Sequence, residues 1–180
     1  METIVLTGPK HSGKTSAGKA LASLYSCVFI DIDDLILQRT GKSPRQLFTE
    51  SPAIFQKAET DAAAAITSAD NTDQSETKKW RIIAAGGGII DNSDAVTLLK
   101  KSGAIIVYLN VSAESAWERI ANAANGELPP FLRTENPRET HRALHERRAA
   151  AYLKIANIVI ETEGKTPAEI AGEIYSLKSD

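Results

Sequence analysis

The run Gly8-Pro9-Lys10-His11-Ser12-Gly13-Lys14-Thr15 carries the most specific chemistry in the chain. It fits G-x-x-x-x-G-K-[ST], in which glycines let backbone N–H groups turn inward around phosphate oxygens. The lysine then spans the β- and γ-phosphates, and the hydroxyl reaches Mg²⁺. An apolar run, Thr3 to Thr7, precedes the loop, and a helical pattern from about Lys14 to Tyr25 follows it. The N-terminus of that helix points at the same anion. On this reading Gly8, Pro9, Lys10, His11, Ser12, Gly13, Lys14, Thr15 and Ser16 surround a nucleotide. Lys14 acts on the transferred phosphate and Thr15 is a metal ligand, while the His11 side chain faces solvent. A glycine-rich turn matching by chance would not account for a strand before it and a helix after it.

Two further groups converge on the same place. Asp31 lies near the end of a second apolar run, Cys27 to Ile32, and Asp33 follows it directly. Parallel sheets bind ligands beyond the carboxyl ends of their strands, which puts these acids beside the phosphate loop. Phosphoryl transfer needs one carboxylate for the Mg²⁺ shell and another to orient or deprotonate the accepting hydroxyl. Asp31 and Asp33 can divide those roles, while Asp34 reads as a cap for a helix from Leu35 to Arg39. Gly86-Gly87-Gly88 follows a third run, Arg81 to Ala85. Three glycines there let a ligand approach backbone N–H groups, which a plain turn seldom needs.

These residues must be positioned by alternating strands and helices. Ala104 to Leu109 and Ile158 to Thr162 complete five short β-rich runs, and the helical stretches between them imply crossover connections, hence an α/β fold with a parallel sheet. Ser43-Pro44-Arg45-Gln46, Asn136-Pro137-Arg138-Glu139 and Thr166-Pro167-Ala168-Glu169 each read as a capped helix start with proline at the first turn. Ser51-Pro52 is a weaker version. Ile170, Ile174 and Leu177 share one face of the last helix, which should pack on the sheet. Thr67 to Lys79 is polar and aperiodic and reads as a solvated loop. Asn122 to Asn136 is loop-like and of a length typical of lids.

Composition narrows the function classes. The 180 residues suit one domain, and a net charge of −2 gives no global field for nucleic acid or an anionic membrane. Any anionic substrate must meet a local cluster of positive groups. No apolar run reaches membrane-spanning length, and the N-terminus has neither signal nor transit character, so a cytoplasmic location is the default expectation. One cysteine, Cys27, excludes an internal disulfide and reads as a small buried hydrophobe. The three histidines show no metal-ligand spacing. With no apolar surplus, a monomer is expected.

The phosphate loop, the Asp-x-Asp and the Gly-Gly-Gly together resemble the shikimate kinase family, and the resemblance spans almost the whole chain. Gln38-Arg39-Thr40-Gly41, Leu47-Phe48, Phe55, Glu59, Val107-Tyr108-Leu109, Trp117-Glu118-Arg119 and Arg148-x-x-x-Tyr152-x-x-x-Ala156 are similar to further family segments. The resemblance implies a P-loop kinase fold with a five-stranded parallel sheet ordered 2-3-1-4-5. It implies an acceptor-binding part at 33–67 and a lid at 122–136 within one domain. It implies ATP and Mg²⁺ as partners, and shikimate as acceptor. Asp31 would hold the metal's water shell, and Asp33 would be the base. Gly86, Gly87, Gly88 and Arg148 would bind the acceptor, Arg119 would stack on adenine, and Glu59 and Arg148 would pair.

Two departures stand out. The family's Phe-Arg-x-x-Glu is Phe55-Gln56-Lys57-Ala58-Glu59 here, so Gln56 occupies the acceptor-binding position of an arginine that grips the shikimate carboxylate. The family's Arg-Pro-Leu-Leu in the lid is Pro129-Pro130-Phe131-Leu132, with Arg133 just beyond it as a possible replacement. Losing one charge-assisted hydrogen bond to a carboxylate costs about 1.5–3 kcal/mol, and a lid arginine is worth about 10³-fold in rate or more. Two alternatives follow: a kinase for another hydroxylated acceptor, or a nucleotide-binding regulatory protein with weak transfer activity.

Overall fold

The computed structural model describes residues 2–67, 80–123 and 128–179. Five parallel strands, β1 (Glu2–Thr7), β2 (Val28–Asp31), β3 (Trp80–Ala84), β4 (Ile105–Asn110) and β5 (Ile158–Glu161), form one sheet in the order β2-β3-β1-β4-β5, as expected. Because β1 is central, the loop leaving it lies in the middle of the sheet's carboxyl edge. Among the described residues eight α-helices connect and flank the strands: α1 (Lys14–Leu24), α2 (Ile32–Thr40), α3 (Pro44–Glu50), α4 (Pro52–Thr67), α5 (Ser93–Lys101), α6 (Ala113–Ala123), α7 (Pro137–Ile155) and α8 (Pro167–Ser179).

Alternation along the strands divides the core in two. Val5, Ile83 and Tyr108 face the layer of α2, α4, α5 and α7, where the Tyr108 and Tyr152 rings stack with centroids 5.2 Å apart. Ile4, Leu6, Ile82 and Val107 face α1 and α8. Both faces are covered, so the strands read as continuous apolar runs.

Local signals set most element ends. Ser43 and Gln46 form the expected capping box, with Gln46 N–H donating to Ser43 Oγ at 3.3 Å and Ser43 N–H donating to Gln46 Oε1 at 2.8 Å. Thr166 and Glu169 repeat it at α8. Asn136 does not cap α7: it makes no side-chain cap bond, and Glu139 accepts from Arg142 instead of turning back. Ser51 joins two helices, its N–H donating to Leu47 O and its carbonyl accepting from Phe55 N.

Four expectations change at β2 and α8. The strand is shorter than its apolar run because α2 starts at Ile32, not Leu35. Its cap is Asp31, whose Oδ1 accepts from Asp33 N–H at 3.0 Å, so Asp34 lies inside the first turn and caps nothing. Cys27 is half-buried just before β2 rather than enclosed. Leu177 is 54% exposed, since α8 packs through Ile170, Ala171 and Ile174 and its last turn runs past them. The polar segment expected as a loop lies outside the described residues from 68 to 79, as do 124–127 of the expected lid. Among the described residues no helix is long and apolar enough to cross a membrane.

Candidate active site

The loop after β1 is wound tightly against β4. Gly8 has φ 141°, and a Cβ there would lie 2.6 Å from the Leu109 carbonyl oxygen. His11 and Gly13 also take positive φ, 61° and 92°, so successive peptide groups turn as an anion nest requires. His11 is exposed, and its carbonyl accepts from Arg119 Nη1 at 3.0 Å. The buried Lys14 ammonium donates to Gly8 O at 2.9 Å, Pro9 O at 2.7 Å and Ser12 Oγ at 3.4 Å. Burial pushes its pKa down to about 8, against the attraction of Asp33 and Asp31. It is therefore a mostly charged group at neutral pH, held in the loop by carbonyls that are weaker partners than phosphate.

Asp31 serves two elements. One oxygen caps α2, and the other accepts from Thr15 Oγ1 at 2.8 Å. Asp33, in the first turn of α2, has its pKa raised by burial and then by Asp31, with Lys14 opposing.

A cavity of about 840 Å³ joins these groups. Its lining brings Lys10, His11, Gly13, Lys14, Thr15, Ser16 and Arg119 together with Asp33, Glu59, Gly86, Gly87, Gly88 and Arg148, and Gly87 lies directly against the backbone of Lys10. The wall of α3 and α4 adds Pro44, Arg45, Phe48 and Phe55, and the segment before α7 adds Pro129 and Phe131. Gly8, Pro9 and Ser12 stand behind the loop as its buried wall. A second cavity of about 670 Å³, between α6 and the start of α7, contains none of the phosphate-loop residues.

Gln56 does not line the cavity. Its side chain is exposed because α4 turns Phe55 and Glu59 inward, and its carbonyl accepts from Asn92 Nδ2 at 2.9 Å. Arg133 is also exposed and outside the lining, its Nε donating to Leu128 O at 3.3 Å.

Arg148 differs from expectation in its partner. No hydrogen bond joins it to Glu59 among the described residues. Its Nε and Nη2 donate to Asp91 at 2.9 and 2.7 Å, while Arg147 holds the same carboxylate at 2.7 and 3.1 Å. Burial alone would raise the Asp91 pKa, but the two guanidiniums hold it below the usual range. Arg148 Nη1 and Tyr152 Oη also donate to Gly87 O, each at 3.2 Å, which fixes the glycine loop. Phe131 packs over the guanidinium, its centroid 6.0 Å from Cζ. Glu59 is instead held by Asn92 Nδ2 at 3.0 Å through Oε2, while buried Oε1 has no hydrogen-bond partner. That oxygen and Asp33 Oδ1 approach Gly86 so closely that a Cβ there would lie 3.3 and 3.0 Å from them. Sequence reasoning passed over Asp91, Asn92 and Arg45. The Asp91 side chain meets residues 56 and 57 positions away, a distance no local pattern reports.

Comparison with known proteins matches this geometry. The shikimate kinase family model fits residues 10–178. A shikimate kinase of Thermodesulfovibrio yellowstonii is 34% identical over 97% of this chain and 93% of its own. Among solved structures, shikimate kinase from Acinetobacter baumannii in complex with shikimate superposes with a TM-score of 0.81, at 29% identity and 98% and 92% coverage. That from Aquifex aeolicus gives 0.77, at 27% identity and 97% and 94% coverage. With a phosphate loop, an Asp-x-Asp and a triple glycine on one cavity, this chain belongs to the shikimate kinase family of ATP-dependent small-molecule kinases.

Proposed function

We propose that the protein transfers the γ-phosphoryl group of ATP to a hydroxyl of shikimate. The observation that carries this is one cavity lined both by the phosphate loop and by Asp33, Gly86–Gly88 and Arg148. In this reading residues 8–16 wrap the triphosphate, and Lys14 leaves its carbonyl partners to neutralise charge on the transferred group. Arg119, anchored on His11 O, would cover the adenine. Asp33 holds the accepting hydroxyl and removes its proton as the new P–O bond forms and the bond to the β-phosphate oxygen breaks. The Gly86–Gly88 backbone and Arg148 fix the acceptor.

Thr15 and Asp31 suit Mg²⁺, since they place a hydroxyl and a carboxylate oxygen, hard donors, within 2.8 Å of each other. Among the described residues no three His, Cys, Asp or Glu side chains form a metal cage. That fits an ion held mainly by substrate phosphates and water. When bound it would neutralise charge on the β- and γ-oxygens. Residues 122–136 are proposed as the lid, which excludes water so that phosphate goes to the acceptor rather than to hydrolysis.

The test is ADP release with ATP and Mg²⁺, with and without shikimate, for the wild type and Asp33→Asn. The expected result is a shikimate-dependent rate in the wild type that falls about 10²–10⁴-fold in the variant. A wild-type rate indifferent to shikimate, in protein that binds ATP, would overturn the acceptor assignment.

A further inference from the structure

We propose that the Lys10 side chain is a catalytic cation, its ammonium hydrogen-bonding the phosphoryl group while that group passes from ATP to the acceptor. This rests on the reading of the protein as a kinase of shikimate and adds a residue to its chemistry.

Lys10 stands where the two loops that bracket the transfer meet. A Cβ on Gly87 would lie 2.9 Å from Lys10 N and 3.3 Å from its Cα, so the phosphate loop touches the glycine loop at this residue. The backbone there is fixed by a turn, in which Ser12 N–H donates to Pro9 O at 3.2 Å and His11 takes φ 61°. Lys10 is exposed and lines the same cavity as Lys14, Asp33 and Gly86–Gly88. Among the described residues its ammonium makes no hydrogen bond or ion pair, whereas Lys14 is buried against Gly8 O and Pro9 O.

The charge of Lys10 reaches both groups between which the phosphoryl moves. Burial pushes the Lys14 pKa down to about 8 against the pull of Asp33 and Asp31, and Lys10 adds to the push. The Asp33 pKa, raised by burial and by Asp31, is drawn back by Lys14 and by Lys10. A cation is needed at this place. Asp31, Asp33 and Glu59 all line the cavity, so a phosphoryl group approaching Asp33 moves toward negative charge. The segment before α7 brings Pro129 and Phe131 to the lining, and neither side chain can donate a hydrogen bond. Arg133 stays outside, with Nε on Leu128 O.

In the transfer the acceptor oxygen bonds to phosphorus, the bond to the β-phosphate oxygen breaks, and the hydroxyl proton goes to Asp33. Lys10 keeps its protons and donates hydrogen bonds to the equatorial oxygens, over which charge is spread in the transition state.

The experiment compares the wild type, Lys10→Met and Lys10→Arg in steady-state kinetics and in MgATP binding by calorimetry without acceptor. Methionine keeps an unbranched stem and removes the charge. Lys10 is exposed and has no left-handed backbone, so both variants should fold, which circular dichroism checks. The expected result is a loss of about 10²-fold in Lys10→Met, in kcat and in kcat/KM for shikimate alike, as for an interaction made in the transition state. The Kd for MgATP should rise no more than about fivefold, the worth of one exposed charge contact. Lys10→Arg keeps the charge and should retain kcat within about tenfold of the wild type. A Lys10→Met kcat within about twofold of an active wild type, or a loss confined to MgATP affinity, overturns this inference and leaves the acceptor assignment standing. Lys10→Arg no better than Lys10→Met overturns it as well, because the charge would not be the cause. A wild type that ignores shikimate overturns both readings.

Discussion

At the scale of single residues, a carboxylate that no motif announced governs the arginine the family resemblance singled out. Asp91 holds Arg148 through two nitrogens while a third reaches Gly87 O, and Phe131 covers the guanidinium. Partial neutralisation of Arg148 by Asp91 would weaken its pull on an anion, while the fixed orientation would strengthen the contact it makes. Orientation should win, because the remaining N–H groups of Nη1 and Nη2 are still directed by the bonds the others make. Asp91→Ala is therefore expected to raise the KM for the acceptor about tenfold, the size of one charge-assisted hydrogen bond. Restoration by Glu at the same position would not be expected to be complete, since the longer side chain moves the pair. Acceptor kinetics in which Asp91→Ala equals or betters the wild type would show that neutralisation is the larger effect.

Between elements, Asn92 ties α4 to α5 with four hydrogen bonds from one buried amide. Its Oδ1 accepts from Ala95 N–H at 3.2 Å, capping α5, and from Thr60 Oγ1 at 3.1 Å. Its Nδ2 donates to Gln56 O at 2.9 Å and to Glu59 at 3.0 Å. Asn92→Ala removes a cap and leaves the buried Glu59 carboxylate without its hydrogen-bond donor, so a loss of about 2–4 kcal/mol is expected in urea unfolding. A loss below about 0.5 kcal/mol, the range of ordinary surface changes, would contradict this. The contrast with Ser43 and Thr166 explains what could be read in advance. Those caps close on residues three positions away, so their pattern is local and visible in the chain. Asn92 bonds across 32 to 36 residues, and the register of α4 against α5 decides its partners. The cap of α2 is not legible in the sequence for a related reason. Three aspartates sit within four positions, and only the point where β2 leaves the sheet selects Asp31 over Asp34. Gln56 is a further case, since helix rotation is not fixed by a motif alone and α4 turns Glu59 rather than Gln56 toward the cavity. The five strands and the phosphate loop are legible from apolar runs and a contiguous signature, whereas the strand order follows from the family resemblance.

For the molecule as a whole, burying Glu59 couples stability to pH. The residue is 1% exposed, and burial pushes its pKa up from 4.5 to about 7, opposed by the hydrogen bond from Asn92 and the charge of Arg148. Between those values the folded state holds a proton that the unfolded state has released. The stabilisation is therefore fully present below about 4.5 and is lost as pH rises through about 7. At roughly 1.4 kcal/mol per unit, the contribution is on the order of 3 kcal/mol across the window. Other carboxylates titrate in the lower part of the same range, so the informative quantity is the difference between wild type and Glu59→Gln. Glutamine keeps the shape and an oxygen for Asn92 but carries no titrating proton. The variant's stability relative to wild type should climb by about 2–4 kcal/mol from pH 4.5 to pH 7.5. Urea unfolding of both proteins at several pH values measures this. Parallel profiles would mean that Glu59 is ionised throughout in the folded protein, and the unpartnered Oε1 would then require a cation beside it.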